Sequence, residues 1–486
     1  MGKTAISAAH IKPAPFALSD IESLDIRVAP NEHATAKIRG IIDGEAEEAY
    51  LSLARHDLPV RVLGEDDAGE SEVLFAGTVS GLEIRNINGV KMMELSLVSA
   101  SKRMDLAEHT RSFQKATATY EDVLSVFGYY KDYSFSARVG EGVQIGDILV
   151  QFRETDWEFV KRLAGRFNSV VIPDYLTGDT GFYFGLPVKS AGTPVDPIAY
   201  RVMKDNSKYA DKTQNDVSGL SENDELYYIV QDPAIRRMGE KVRFKNQDLR
   251  VFAIRSVLEG QVLQNYYTLK SEAGFKTKKL HNAKLVGASL AGRVINVAKD
   301  RVQLRLYEDN DSYEVGAKWL HYSTVYSSPD GTGWYAMPEI GDELRLYFPS
   351  ERESEGYAIS AVNVDTPDMG KDVPPAEPGI PAFLPPRTHP NVKTVINKER
   401  KEVSLYPDKI VMTNNRDMTV VIDDADGITI QSAKNISIKS DEGVSLISGA
   451  SDITLAGGES VNIEVGGTKL ALNNNVGFEG TSIFMQ

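Results

Sequence analysis

Toward the C-terminal end of the chain, aliphatic residues fall in pairs two positions apart, and the pairs recur at a nearly constant step. Val420 and Ile422 are followed by Ile428 and Ile430, Ile436 and Ile438, Val444 and Leu446, Ile453 and Leu455, Val461 and Ile463, and Leu470 and Leu472. The second members are separated by 8, 8, 8, 9, 8 and 9 residues. On an extended strand alternate side chains share a face, so each pair marks one buried face and each octad is one short strand and one turn. Gly427, Gly443, Gly449, Gly457, Gly458, Gly466 and Gly467 fall in or near the turns, where positive φ is often needed. A strand takes about 5 residues, so an octad is too short to wind a closed three-sided coil from one chain. Two arrangements remain. In one the chain zigzags as an up-and-down sheet whose single apolar face packs on something else. In the other three chains each contribute one strand per layer, and the pairs meet on a shared axis with no free edge along the shaft. The second uses the repeat better, because no stretch in this region encodes a covering layer. Burying two aliphatics per layer from each of three chains is worth on the order of 10 kcal/mol gross.

Upstream the period is again two. LDIRV, AKIRGII, LPVRVL, VLFAGTVSGLEI and KMMELSLVSA alternate with turns between Ile21 and about Ala100, and the acidic GEDDAGESE (64–72) is a solvated hairpin loop. Two helices interrupt this pattern. Thr119 with Asp122, and Thr155 with Glu158, have capping-box spacing. The second helix carries Trp157, Val160, Leu163, Ala164 and Phe167 as one apolar packing stripe. Strand patterns return in LYYIVQD, KVRFKNQDLRVFAIRSVLE and QVLQNYYTLK, and again in LAGRVINV, DRVQLRLY, DELRLYFP and YAISAV. A proline-dense stretch containing PPAEPGIP and FLPPRTHP follows, stiff and extended. The expected divisions are 1–110 and 201–284 as two β-barrel halves, 111–200 as a helical insert with strands, 285–365 as a compact β unit, 366–392 as linker and 393–486 as the octad region.

Composition narrows the function classes. The 486 residues suffice for about three cored domains. The formal charge of −15 argues against nucleic acid as a partner. There is no cysteine, so disulfides and thiolate metal sites are excluded and a reducing cytoplasm suits synthesis. No apolar run reaches the length of a membrane span, and MGKTAISAAHIKPAPFALSD has too broken an apolar stretch for a signal peptide. No GxxxxGK[ST] loop occurs; VGGTK (465–469) lies inside the octads. The seven histidines include no HxH or HExxH pairing. DDADG (423–427) resembles half a calcium loop but has Ile422 at the first ligand position, so a turn explains it better. No cofactor, metal or catalytic residue is assigned, and a carboxylate pair for glycoside hydrolysis stays open.

Two stretches carry a resemblance. QFRETDWEFVKRL (151–163) resembles a signature of the VgrG family, hub-spike proteins of type VI secretion systems, contractile phage tails and extracellular injection particles. Gln151, Phe152, Glu154, Thr155, Asp156, Phe159, Val160, Arg162 and Leu163 match it. GWYAMPEIGDELRLYF (333–348) is similar to the family's motif in an oligonucleotide/oligosaccharide-binding (OB) type barrel, through Gly333, Trp334, Pro338, Gly341, Asp342 and Glu343. The resemblance implies a mainly β chain with two hub β-barrels around a helical insert, an OB-type barrel and a C-terminal intertwined trimeric β-helix. Tripled, two barrels per chain match a sixfold tube.

The implied function is the trimeric hub and spike at the tip of a contractile injection apparatus. Its partners would be two copies of itself, the inner tube protein, baseplate proteins, a PAAR-like tip cap or effector cargo and, transiently, a target membrane. The shaft would be about 35 Å long, and Ile483, Phe484 and Met485, near its end, are candidates for docking the cap. The family's lysozyme-like insert and trailing toxin domain are both missing, which leaves no enzymatic role expected. The alternative is a trimeric tail fibre or adhesin displaying a receptor-binding surface; a polysaccharide-degrading enzyme is a third class. Without a leader, the particle itself would carry the protein out of the cell.

Overall fold

The computed structural model describes residues 6–65, 69–187, 192–308, 318–328, 330, 333–360, 390–397, 399–451, 453–459 and 461–472. The chain divides into two units, Met1–Val364 and Asp365–Gln486.

The first unit is organised by one 12-stranded sheet drawn from both β-rich halves. The strands Ile11–Ala14, Pro59–Glu65, Ser71–Ile87, Val90–Val98, Thr35–Ile41 and Asp20–Val28 lie side by side in that order. Asp20–Val28 then pairs with Gln247–Glu259, setting Asp25–Val28 opposite Ile254–Val257, and the sheet continues through Val262–Lys270, Leu226–Gln231 and Ala199–Lys204. Broken alternation in the sequence marks where these strands bend. In DIESLDIRV the buried positions pass from Ile21 to Leu24, Ile26 and Val28, and the register shifts between Ile21 and Ser23. That slip of one residue is a β-bulge, which keeps the apolar side chains on the core face while the strand turns. A second slip lies between Val251 and Ala253. Both halves share one core, with Leu24, Ile38, Phe75, Leu95, Val230, Val251 and Leu269 among its most deeply buried members.

Among the described residues, four α-helices interrupt the strands: α1 (Glu47–Leu53), α2 (Tyr120–Ser125), α3 (Asp156–Arg166) and α4 (Asn206–Gln214). The two capping boxes expected from the sequence open α2 and α3. The stripe on α3 packs into a second core with Phe113, Phe127 and Phe184, so its apolar face is a packing face. A third core belongs to a five-stranded antiparallel sheet ordered Leu320–His321, Arg301–Leu306, Ser289–Ala298, Glu343–Tyr347, Tyr357–Ile359. A parallel bridge between Tyr322 and Ala358 brings its two ends together, closing a small barrel around Leu304, Leu346 and Phe348. Motif residues Leu344, Leu346 and Phe348 are interior, whereas Trp334 is 63% exposed.

In the second unit, Lys393–Ile396, Glu402–Leu405, Lys409–Thr413, Met418–Asp423 and Gly427–Ser432 form an antiparallel meander. Within one chain this is the zigzag arrangement. Its register aligns Leu405, Ile410, Ile422 and Ile428 in one row across the strands, and Val403, Met412, Val420 and Ile430 in another. Among the described residues of 433–459 there is no further strand, and Val461–Val465 pairs with Thr468–Leu472 as a hairpin that sets Ile463 opposite Leu470 and Val461 opposite Leu472. Ile483, Phe484, Met485 and most of the proline-dense stretch lie outside the described residues. DDADG is a turn: Asp423 Oδ1 accepts the Ala425 and Asp426 amides at 3.0 and 3.1 Å.

Candidate functional site: the junction of three cores

The QFRETDWEFVKRL motif lies where the three cores of the first unit meet. Strand Leu149–Thr155 faces two ways. Leu149 enters the core of the helical insert, while Val150, with the preceding Ile148, enters the OB-type core. The period-two alternation of a strand thus joins two hydrophobic interiors. Thr155 then caps α3, whose Trp157 reaches back to the hub: its indole N–H donates to Asn31 O at 3.3 Å, and its ring lies 4.7 Å from that of His33.

Polar residues of the motif lock this geometry. Arg162, 3% exposed, donates through Nε and Nη2 to the two carboxylate oxygens of Glu154 at 2.8 and 2.7 Å, and to Val150 O at 2.7 Å. Its Nη1 donates to Glu353 Oε1 at 2.5 Å, and Arg166 Nη2 donates to Glu353 Oε2 at 2.8 Å. Glu353 sits in a 3-10 turn of the OB-type unit, so the guanidinium fork bridges two folded bodies. A planar bidentate donor suits this and an ammonium would not. Burial pushes the Glu154 carboxyl above the usual carboxylate range, with Arg162 only partly offsetting it. Burial acts the same way on Glu353, but Arg162 and Arg166 outweigh it and hold its carboxyl below that range.

A second network surrounds Asp156, the first residue of α3 and fully buried. Its carboxylate accepts from Gln151 Nε2 at 2.8 Å, Arg111 Nη2 at 3.2 Å, Tyr130 Oη at 2.9 Å and the Tyr129 hydroxyl. Its place at the helix start also puts the negative charge at the favourable end of the dipole. Gln151, Glu154, Thr155, Asp156 and Arg162 therefore read as one local device. The sequence signalled these motif residues but not their partners Arg111, Tyr129, Arg166 and Glu353, whose spacing from the motif carries no periodic signal.

Each carboxylate of the two networks accepts from a cation, and among the described residues no group of three His, Asp or Glu side chains could hold a metal. The arrangement holds bodies together. The aliphatic ladder expected on a spike axis is differently placed. Ile428, Ile430, Ile436, Ile438, Val444, Leu446, Ile453, Leu455 and Ile463 are all exposed, Ile428 and Ile438 by 71%, and Val420 and Val461 are half-buried. Among the described residues, these side chains of the ladder are left uncovered.

No family model matches the chain. Over 113 residues, 23% of the chain, it is 32% identical to the actin cross-linking toxin VgrG1 of Vibrio cholerae, spanning only about a tenth of that protein's length. A solved Escherichia coli protein, described as a type VI secretion component structurally similar to the T4 phage tail proteins gp27 and gp5, aligns over 73% of this chain and 99% of its own, at 13% identity and a TM-score of 0.50. The Francisella PdpA–VgrG complex in its half-lidded form aligns over 88% of this chain and 87% of its own, at 10% identity and a TM-score of 0.53. These structural likenesses, at 10–13% identity, show the fold, and the short stretch matched to the Vibrio protein is similar to part of a VgrG protein.

Proposed function

We propose that the chain is the hub and spike at the tip of a contractile injection apparatus, acting mechanically and as three copies. The observation that carries this is the uncovered aliphatic ladder. Side chains such as Ile428 and Ile438, 71% exposed, would cost on the order of 1 kcal/mol each relative to burial. A monomer rarely presents so extended an apolar array. Two further copies of the same ladder, closing about a shared axis, cover it with identical chemistry. Val420, Ile422, Ile428, Ile430, Ile436, Ile438, Val444, Leu446, Ile453, Leu455, Val461, Ile463, Leu470 and Leu472 would then line that axis.

The buried junction in the first unit suits the same task. Axial thrust on a hub has to pass between bodies without shearing them apart. Arg162 and Glu353 join two of those bodies with an ion network that is costly to break one partner at a time. An interlocked spike adds kinetic stability, since one chain unfolds only by unzipping from two others. Inner tube protein, baseplate proteins, a tip cap or effector cargo and, transiently, a target membrane are the expected partners. Among the described residues no helix is long and apolar enough to cross a membrane. The toxin activity named for the Vibrio relative belongs to that protein. The solution mass of the purified chain, by light scattering across a dilution series, tests the proposal: three chains are expected, and a monomer at all concentrations overturns it.

A further inference from the structure

Helix α4 is fastened to the hub chiefly by one side chain. Of its nine residues only Lys212 is buried, at 4% exposed; Tyr209 is half-buried and the other seven are exposed. A helix this short is marginal by itself in water, so its docking depends on what Lys212 touches. The ammonium donates to one carboxylate oxygen of Glu225, and to Gly274 O at 3.0 Å. The chain on either side is pinned separately: Asp205 N donates to Glu225 O at 3.0 Å, and Val217, past the helix, is buried. The pair between Asp211 and Lys278 is about half exposed on both sides and adds little.

Glu225, fully buried, holds a second ammonium. Lys270, 3% exposed, donates to its other oxygen at 2.7 Å and lies 4.8 Å from the centre of the Phe252 ring. Burial draws both lysines below the ordinary lysine value, with Glu225 opposing it, and Lys208 of α4 repels both. Asp224 offsets part of the excess charge at Lys212. The two lysines differ in their freedom to leave. Lys270 ends a strand paired on both sides, opposite Tyr227 and Arg250, whereas Lys212 rides on a short polar helix. When Lys212 withdraws, Glu225 keeps Lys270, one charge against one, so no uncompensated carboxylate stays buried. The departing ammonium regains water, and the excess cation of the docked arrangement is relieved. Docked and undocked α4 both leave Glu225 satisfied, which is what a two-state element requires.

We propose that α4 is a strap that undocks from the hub between its two pins, Lys212 leaving Glu225 while Lys270 stays, and so bares Lys270 and the Phe252 ring, from which Lys208 of the strap lies 5.8 Å. Two measurements on the full-length protein test it. Trace acetylation with acetic anhydride, followed by peptide mapping, reads how often each amine reaches solvent. The two lysines are equally buried, yet Lys212 should label at least tenfold faster than Lys270. The second measurement uses Lys270→Met, in which Glu225 has Lys212 alone and undocking would strand a buried carboxylate. Lys212 labelling and amide exchange at Ala210–Gln214 should both slow at least tenfold in this variant. Loss of a merely structural partner would instead loosen the region and speed both. Equal labelling of the two lysines in the parent protein overturns the strap, and so does exchange at Ala210–Gln214 that is unchanged or faster in Lys270→Met. If that variant does not fold, the comparison of the two lysines in the parent decides.

Discussion

Replacing Glu353 by alanine removes a carboxylate that the OB-type unit contributes to the junction. The loss has two parts. Arg162 Nη1 loses the acceptor 2.5 Å away inside a site where the residue is 3% exposed; a buried charged donor without an acceptor costs about 1–3 kcal/mol. Arg166, whose side chain is 29% exposed, can turn to water and adds at most about 1 kcal/mol. Glu154 still neutralises Arg162, so the sum is about 1–4 kcal/mol, against about 3–5 for a fully uncompensated charge. Urea unfolding of the full chain reads this out through Trp157, 1% exposed, which gives the blue-shifted emission; Trp319 and Trp334, 38% and 63% exposed, contribute at longer wavelength. Glu355→Ala is the control, because the Glu355–Arg352 pair is exposed and should cost under about 1 kcal/mol. The deficit should also shrink in acid. The carboxyl of Glu353 is held below its ordinary value, so its contribution is full above the unfolded value, near 4.5, and fades as pH falls through the lower folded one. Equal stabilities of the two alanine variants would refute the idea that this bridge joins the bodies.

Ile438→Asp should leave each chain folded, because the side chain is 71% exposed within its own molecule, yet abolish assembly by placing three carboxylates at one level of the axis; unchanged mass would put Ile438 on the outside. Burial beside Trp157 holds His33 down at about 4 against 6.5 unfolded, although Asp105 pulls the other way. Its contribution is therefore complete above pH 6.5 and lost as pH falls toward 4; His33→Gln should flatten that part of the stability–pH curve by at most about 3 kcal/mol. Gly77→Ala should destabilise the hub by more than about 2 kcal/mol, because a Cβ there would sit 2.3 Å from Val98 O; a thermal midpoint within a degree of the parent would contradict the close packing.

Local patterns carried much of this protein in the sequence. Period-two alternation placed the strands, the two capping boxes placed α2 and α3, and the octads announced a repeat whose apolar face is left uncovered among the described residues. These signals are legible because each depends on residues within one turn or one strand of each other. Tertiary structure alone decided the rest. Arg162 meets Glu353 across 191 positions, and Trp157 meets Asn31 across 126; only the closed cores bring such groups within bonding distance. The motif Trp334 lies exposed on its barrel, although its hydrophobicity alone would place it inside. The pairing of Asp25–Val28 with Ile254–Val257, which makes one sheet of two halves, also lies outside any local pattern, because strand partners are chosen by shape and burial after the chain collapses.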